Sequence, residues 1–179
     1  MLFKKITRIV LGIATITLAS TSCASLKVPE GYLIDESALK DSLALNEHNI
    51  VLFWTNWCRG SHYRIDSLYT PLAKEISRQG LNLKIYLIAS DANISLSQVD
   101  ELRKRGFSTY FMDHPGGMAI ANRLAIKKFI NNAFPDNEVE RIKGIQFGIP
   151  VELLITKQLK IINEKETRKS FDFIKEIIG

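Results

Sequence analysis

The stretch from Phe53 to Ser61, FWTNWCRGS, places a cysteine at the junction between a predicted strand and a predicted helix. Residues 50–54 are β-branched or aromatic and apolar on both faces, which is typical of a central strand. The segment after Cys58 has helical periodicity. A thiol at the start of a helix lies at the positive end of the helix dipole, which favours the thiolate form. Because Ser61 stands where a second thiol would resolve a disulfide, the motif is C-x-x-S.

The N-terminus has the layout of a secretory signal. Three basic residues precede an apolar stretch, Ile9 to Ala19, that is too short for a comfortable transmembrane span. Small residues then precede Cys23, which resembles the bacterial lipoprotein signal, in which the cysteine is lipidated and becomes the first residue. An uncleaved anchor and an ordinary signal with an incidental cysteine are the alternatives. We expect a lipid-anchored protein of the bacterial cell envelope that faces the periplasm.

The chain has only two cysteines. If Cys23 carries lipid, Cys58 is the only thiol in the mature chain, and no intramolecular disulfide can form. A lone cysteine in an exported protein indicates intermolecular pairing or a reactive thiol. The formal net charge of +5 includes three basic residues of the signal, so the mature part carries +2. This balance gives no support to a nucleic-acid partner.

Periodicity and turn signals divide the rest of the chain into alternating strands and helices. Ser95, with Gln98 three residues later, predicts a capping box. His114 to Gly117 is predicted to be a turn, because Pro-Gly-Gly favours one. The predicted strands are 32–34, 49–55, 83–89, 109–112, 151–156 and 160–162, and the predicted helices are 37–45, 60–78, 96–106, 118–134 and 170–178.

Strands separated by helices imply parallel pairs with right-handed crossovers, and the final hairpin adds antiparallel strands. The expected fold class is therefore α/β. We expect a central mixed β-sheet flanked by helices on both faces, with a helical insertion at about 113–147 before the final β-hairpin.

Two motifs together resemble the thioredoxin-like family. FWTNWC, which ends at Cys58, is similar to the F-W-A-x-W-C that opens the family's active-site helix. Gly148 to Val151 is similar to the family's G-x-P-T-like loop, whose proline is cis and which precedes the last strand pair. The resemblance implies a thioredoxin-like domain at 31–179, with the signal at 1–23 and a tether at 24–30.

The resemblance also implies a site. Cys58 would be the nucleophile, and Ser61 could donate a hydrogen bond to its thiolate. The backbone beside Pro150 would pair with an extended client peptide, although a proline before a strand is also tolerated at an edge for purely structural reasons. The implied client-facing residues are Trp57, Arg59, Gly60, Ile149 and Pro150.

Three features depart from the family pattern. Ser61 replaces the second cysteine, and Leu52 stands where many thioredoxins carry a buried acid. Pro71 lies thirteen residues beyond Cys58, farther than the family's helix proline. An insertion of about four residues would add one helical turn and keep the buried stripe in phase.

The sequence supports two functions from different classes. One is monothiol thiol–disulfide exchange or isomerase-like handling of a cysteine-containing client protein or small thiol through Cys58. The other is a redox-inactive binding module that uses the groove beside Pro150 for a peptide or protein. Peroxide chemistry is not favoured, because the P-x-x-x-T-x-x-C setting is missing. His48 and His114 have no companions at metal-ligand spacing, so we expect neither a metal nor a cofactor.

Overall fold

The structure is a computed structural model, and it describes residues 28–116, 119–135 and 150–161. The strands are β1 (Leu33–Ile34), β2 (His48–Trp54), β3 (Leu83–Asp91), β4 (Ser108–Gly116) and β5 (Val151–Thr156). The helices are α1 (Glu36–Leu43), α2 (Arg59–Tyr63), α3 (Thr70–Gln79), α4 (Leu96–Lys104) and α5 (Ala119–Ala133). A π-helical segment, Arg64–Tyr69, joins α2 to α3.

The five described strands form one mixed sheet in the order β1-β4-β3-β2-β5. β1, β4, β3 and β2 run parallel to their neighbours, and β5 pairs with β2 in the antiparallel direction. All residues of β2 after His48 are buried, because strands cover both of its edges and helices cover both of its faces. The predicted α/β class and the central place of β2 are confirmed.

Alternate residues of β2 enter two separate hydrophobic clusters, one on each face of the sheet. Val51 and Phe53 pack with α1 and α5, and the rings of Phe53 and Phe129 meet edge to face at 5.7 Å. Leu52 and Trp54 pack on the opposite face, with α3, α4 and the π-helical segment. The sheet is therefore flanked by helices on both faces, as the sequence predicts.

Side-chain caps fix where two of the helices begin. The Ser95 hydroxyl accepts a hydrogen bond from the Gln98 backbone amide at 3.3 Å, and the Gln98 side chain accepts one from the Ser95 amide at 2.8 Å. The predicted capping box is therefore confirmed. Asp35 caps α1 by accepting from the Ala38 amide at 2.7 Å. Each cap satisfies amides that have no partner within their helix.

The helical stretch after Cys58 is continuous to Gln79, but its middle is π-helical. Pro71 cannot donate a backbone hydrogen bond, and it lies in the first turn of α3, where that donor is not needed. The Thr70 backbone amide and hydroxyl both donate to the Ile65 carbonyl. The wider π-helical turn thus carries the chain past the proline.

The predicted turn at His114 to Gly117 is wrong, because β4 continues to Gly116. Gly116 pairs with Asp91, and the register between β3 and β4 shifts between Ala89 and Asp91. Such an irregularity accommodates Pro115, which has no amide for the ladder. β4 lies between β1 and β3, so the edge strand β1 pairs with β4.

Several predictions fall outside the described residues. They are the signal and lipidation site at Cys23, the tether up to residue 27, residues 136–149 of the insertion, Ile149, and the helix at 170–178. At the predicted final hairpin, Ile161 forms a single antiparallel bridge with Ile155. Among the described helices, none is both long enough and apolar enough to cross a membrane.

Candidate active site

Cys58 lies directly before α2, in the loop that follows the carboxyl end of β2. Its backbone is extended, with φ −92° and ψ 111°, and its carbonyl accepts hydrogen bonds from the amides of Ser61 and His62 at 3.0 and 3.3 Å. The residue is half-buried and takes part in no disulfide within the described part of the chain. The thiol is therefore partly accessible at the start of the helical stretch.

Hydrogen bonds from three elements hold the loop before the thiol. The His62 ring donates through Nε2 to the Asn56 carbonyl at 2.8 Å, and Gln98 of α4 donates to the Asn56 side-chain oxygen at 3.0 Å. The Ser90 hydroxyl of β3 donates to the Trp54 carbonyl at 3.0 Å. The position of Cys58 is thus set by α2, α4 and β3 together.

Ser61 is fully buried, whereas its neighbours Arg59, Gly60 and His62 are exposed. The Ser61 hydroxyl accepts a hydrogen bond from the Thr55 amide at 3.4 Å, so it joins the first turn of α2 to the end of β2. Ser61 therefore does not face solvent as its neighbours do. A serine hydroxyl can also donate while it accepts, and donation to the Cys58 thiolate stays a prediction.

Pro150 and the Cys58 thiol both lie close to Gly60. A Cβ atom at Gly60 would stand 3.3 Å from Pro150 Cδ and 3.6 Å from Cys58 Sγ. The three residues therefore meet at one place, although Cys58 and Pro150 are far apart in the sequence. Any side chain at position 60 would crowd this contact, which gives Gly60 a steric reason to be small. Ile149, the other predicted residue of this loop, is outside the described residues.

Two exposed aromatic side chains flank Cys58 in the sequence. Trp57 is 54% exposed and Tyr63 is 62% exposed, whereas Trp54 is buried beneath the loop. The sequence predicts the burial of Trp54 and the exposure of Trp57, but it does not single out Tyr63. Exposed rings of this size provide apolar contact area for a partner.

A buried ion pair lies close to the thiol, and sequence reasoning missed it. The Arg64 guanidinium donates to the Glu152 carboxylate at 2.8 Å, and their side chains are only 15% and 2% exposed. Glu152 stands opposite Leu52 in the β2–β5 ladder, next to the position where the family pattern places an acid. A charged residue within the apolar strand VELLI was the available signal.

The ion pair also contacts Tyr69 of the π-helical segment. Burial is the main cause that raises the pKa of Tyr69 well above its ordinary value, and the neighbouring Glu152 carboxylate, which shares a hydrogen bond with it, raises it further. The neutral hydroxyl can donate to the carboxylate. Glu152 is thus held by a guanidinium and a phenol together.

The Gly60–Pro150 and Arg64–Glu152 contacts lie along one face of the helical stretch. Gly60 and Arg64 are four residues apart, about one helical turn, and Pro150 and Glu152 are two residues apart on the same face of β5. The ion pair therefore fixes the start of the helical stretch on β5, one turn beyond Gly60. We interpret Arg64 and Glu152 as positioning residues for the thiol.

Within the described ranges, no three histidine, cysteine or acidic side chains are grouped closely enough to hold a metal ion.

No protein-family model matches this chain, and no curated protein matches it. Among solved structures, a thiol-disulfide oxidoreductase from Bacteroides fragilis NCTC 9343 is 17% identical over 74% of this chain and 82% of that one, with a TM-score of 0.45. Yeast Sco1 with copper bound is 18% identical over 80% of this chain and 82% of that one, with a TM-score of 0.44. A thioredoxin-like protein from Bacteroides caccae is 12% identical over 73% and 40%, with a TM-score of 0.42.

The architecture of this chain is thioredoxin-like, as its two motifs predict. The thiol follows the central strand β2, and Pro150 precedes the antiparallel strand β5. The additional parallel strand β4 and helix α5 lie between these two motifs. The fold therefore brings together the two motifs that the sequence keeps about ninety residues apart.

Breaking the buried ion pair is expected to cost much more stability than breaking an exposed one. Arg64→Met and Glu152→Gln should each lower the free energy of unfolding by about 3–5 kcal/mol, because each single change leaves a charged partner buried. The control is Arg105–Asp66, a 2.6 Å pair with side chains 35% and 56% exposed, whose loss should cost about 0–1 kcal/mol. Urea unfolding measures both. If breaking either pair lowered the free energy of unfolding by the same amount, the positioning role of Arg64 and Glu152 would be contradicted.

Ionisation of Tyr69 is expected to weaken the fold at high pH. Because its folded pKa is raised, its full stability contribution is present below the ordinary tyrosine value of 10.0 and is lost as the pH rises through the folded pKa. Above about pH 10 the free energy of unfolding should fall with pH more steeply in the wild type than in Tyr69→Phe. The difference between the two slopes should be about 1.4 kcal/mol per pH unit. Tyr63→Phe, which removes an exposed hydroxyl, should keep the wild-type slope; equal slopes in all three would exclude this role of Tyr69.

Proposed function

We propose that the protein carries out monothiol thiol–disulfide exchange, with Cys58 as the nucleophile. The observation that supports this proposal is the half-buried thiol at the start of the helical stretch, with the thiol and Pro150 both close to Gly60. The thiolate is the form that attacks disulfides. Partial accessibility gives a client sulfur a route to the thiol.

The exchange step needs no external oxidant or reductant. The Cys58 thiolate attacks one sulfur of a client disulfide, so that a bond from Cys58 to the client forms and the client's own disulfide bond breaks. The second client sulfur leaves as a thiolate and takes a proton from water. A client thiolate can then attack the mixed disulfide, form a different client disulfide and release Cys58 as a thiolate. The number of disulfides is unchanged, so the net result is isomerisation.

Ser61 determines which reactions are possible. With serine where a second thiol would stand, the chain cannot resolve the mixed disulfide itself, and the resolving thiol comes from the client or from a small thiol. The buried Ser61 hydroxyl keeps the first turn of α2 attached to Thr55. Ser61 is therefore a positioning residue in this proposal, with donation to the thiolate as its further role.

The client is a cysteine-containing segment in extended conformation. Trp57 and Tyr63 offer exposed apolar surface beside the thiol, and Arg59 adds an exposed positive charge. The backbone around Ile149 and Pro150, at the start of β5, would pair with the client as an added strand. We place the protein in the bacterial cell envelope, anchored by lipid on Cys23 and facing the periplasm, where client disulfides persist.

The second candidate is a redox-inactive binding module that uses the same surface. The exposure of Trp57 and Tyr63 favours it, because apolar contact area serves binding whether or not the thiol reacts. Fold alone does not decide between a catalyst and a scaffold. The two candidates differ in whether Cys58 is required.

The exchange proposal predicts that the chain accelerates the recovery of a small test protein whose disulfides have been scrambled. The chain from residue 24 should raise the recovery rate several-fold, because Cys58 supplies the attacking thiolate. A free thiol of the test protein must be present to resolve the mixed disulfide. Cys58→Ser should abolish the effect. Trp57→Ala should slow recovery while leaving the reaction of Cys58 with a small disulfide unchanged, since that reagent needs no apolar contact.

Recovery at the same rate with wild-type chain and with Cys58→Ser would overturn the exchange proposal. Non-reducing gels of envelope extracts separate the two candidates further. Covalent complexes that disappear in Cys58→Ser support exchange, whereas complexes that resist the substitution and involve no disulfide support the binding module.

A further inference from the structure

A basic cleft of about 810 Å³ lies at the end of the sheet opposite the thiol. It is bounded by α3, the start of β3 and the turn after α4. Lys84 stands in the ladder opposite Asn49, near the start of β2, whereas Cys58 follows the other end of that strand. The intervening length of β2 spans roughly 20 Å at about 3.3 Å per residue. The cleft is therefore separate from the candidate active site.

Basic side chains dominate the described lining of the cleft, which contains no acidic residue. The basic residues are Lys74, Arg78, Lys84, Lys104 and Arg105. The two arginines pair with carboxylates, Arg78 with Glu75 and Arg105 with Asp66.

The three lysines carry the unbalanced charge. Lys74, Lys84 and Lys104 are exposed, and among the described residues none of them has a carboxylate within 4.0 Å. No nearby carboxylate of the described residues therefore cancels the positive charge of the three lysines. Their electric field acts over a Debye length of about 8 Å at physiological ionic strength.

The chain enters the domain through a segment that contacts the last turn of α4. The Arg103 guanidinium donates to the Gly31 carbonyl at 2.9 Å and to the Thr109 carbonyl at 3.0 Å, and it lies 4.1 Å above the Tyr32 ring. Arg103 directly precedes Lys104 of the cleft. The first described residues are therefore held against the last turn of α4, beside the cleft.

The length of the preceding chain limits how far the entry point can be from a lipid on Cys23. Four residues separate Cys23 from Val28, the first described residue, so the five steps between them span at most about 18 Å when fully extended. If Cys23 carries lipid, as proposed above, the entry point and the basic cleft remain close to the bilayer. Cys58 then lies beyond the far end of β2.

From the charge of the cleft and the place where the chain enters, we propose that the basic cleft docks on anionic phosphate headgroups of the membrane. The cleft lies between the domain and the bilayer, and the thiol faces away from the lipid, toward soluble clients. This orientation rests on the proposed anchor at Cys23, whereas attraction to the headgroups rests only on the lysines. Each lysine near an anionic surface raises membrane partitioning by roughly a factor of five.

The test uses the chain from residue 24, without lipid, and vesicles of phosphatidylcholine with or without phosphatidylglycerol. The described sheet and both hydrophobic clusters are built from residues 28–161, so this chain keeps all of them. Sedimentation with phosphatidylglycerol vesicles should be strong at low salt and lost at about 1 M salt, where the Debye length is about 3 Å. Lys84→Glu combined with Lys104→Glu should reduce partitioning at least roughly 25-fold.

The matched control reverses two exposed lysines of α5, Lys127→Glu and Lys128→Glu, which changes the net charge equally on a different surface. The proposal predicts partitioning close to wild type for this control, and thermal unfolding checks that each variant is folded. Equal losses in both double variants, or no binding to phosphatidylglycerol vesicles, would overturn the proposal. Binding to an acidic protein but not to vesicles would also overturn it. Because the test involves no thiol chemistry, its failure leaves the exchange proposal standing.

Discussion

The pairing of β2 with both of its neighbours determines where the site forms. β2 pairs with β3 along its whole length, and its Phe53 stands opposite Val151 at the start of the antiparallel strand β5. Because β5 runs in the opposite direction, its first residues lie beside the last residues of β2. Pro150 is thereby brought to Cys58. A register slip of one residue would turn the apolar side chains of β2 to the wrong faces, so burial on both faces protects this geometry.

The buried ion pair gives the same geometry a second support. Arg64 and Glu152 connect the helical stretch to β5 one turn beyond Gly60, and the π-helical segment places Tyr69 beside the carboxylate. A hydrophobic pair could supply comparable stability, but it would allow the helix to slide along the strand more easily than directed, charge-assisted hydrogen bonds do.

Local signals predicted much of this structure, and contacts between distant residues account for most of what they missed. Ser95 and Gln98 specify a helix start by themselves, and the apolar run before Thr55 specifies a central strand. The turn expected at Pro115 became part of β4, because pairing with β3 outweighed the local preference. Glu152 and Arg64 are 88 residues apart, and no periodicity links them. The contact of Pro150 with Cys58 was predicted only through the family resemblance.

The exchange proposal requires that the fold makes Cys58 a reactive thiol. The rate at which Cys58 is alkylated tests this requirement. In the chain from residue 24, Cys58 is the only cysteine, so its reaction with iodoacetamide at neutral pH can be followed by mass. We expect a faster reaction in the folded chain than in the same chain unfolded in urea, because exchange requires a thiol that the folded structure activates. A folded thiol that reacts at the unfolded rate or more slowly would contradict the account and favour a binding module.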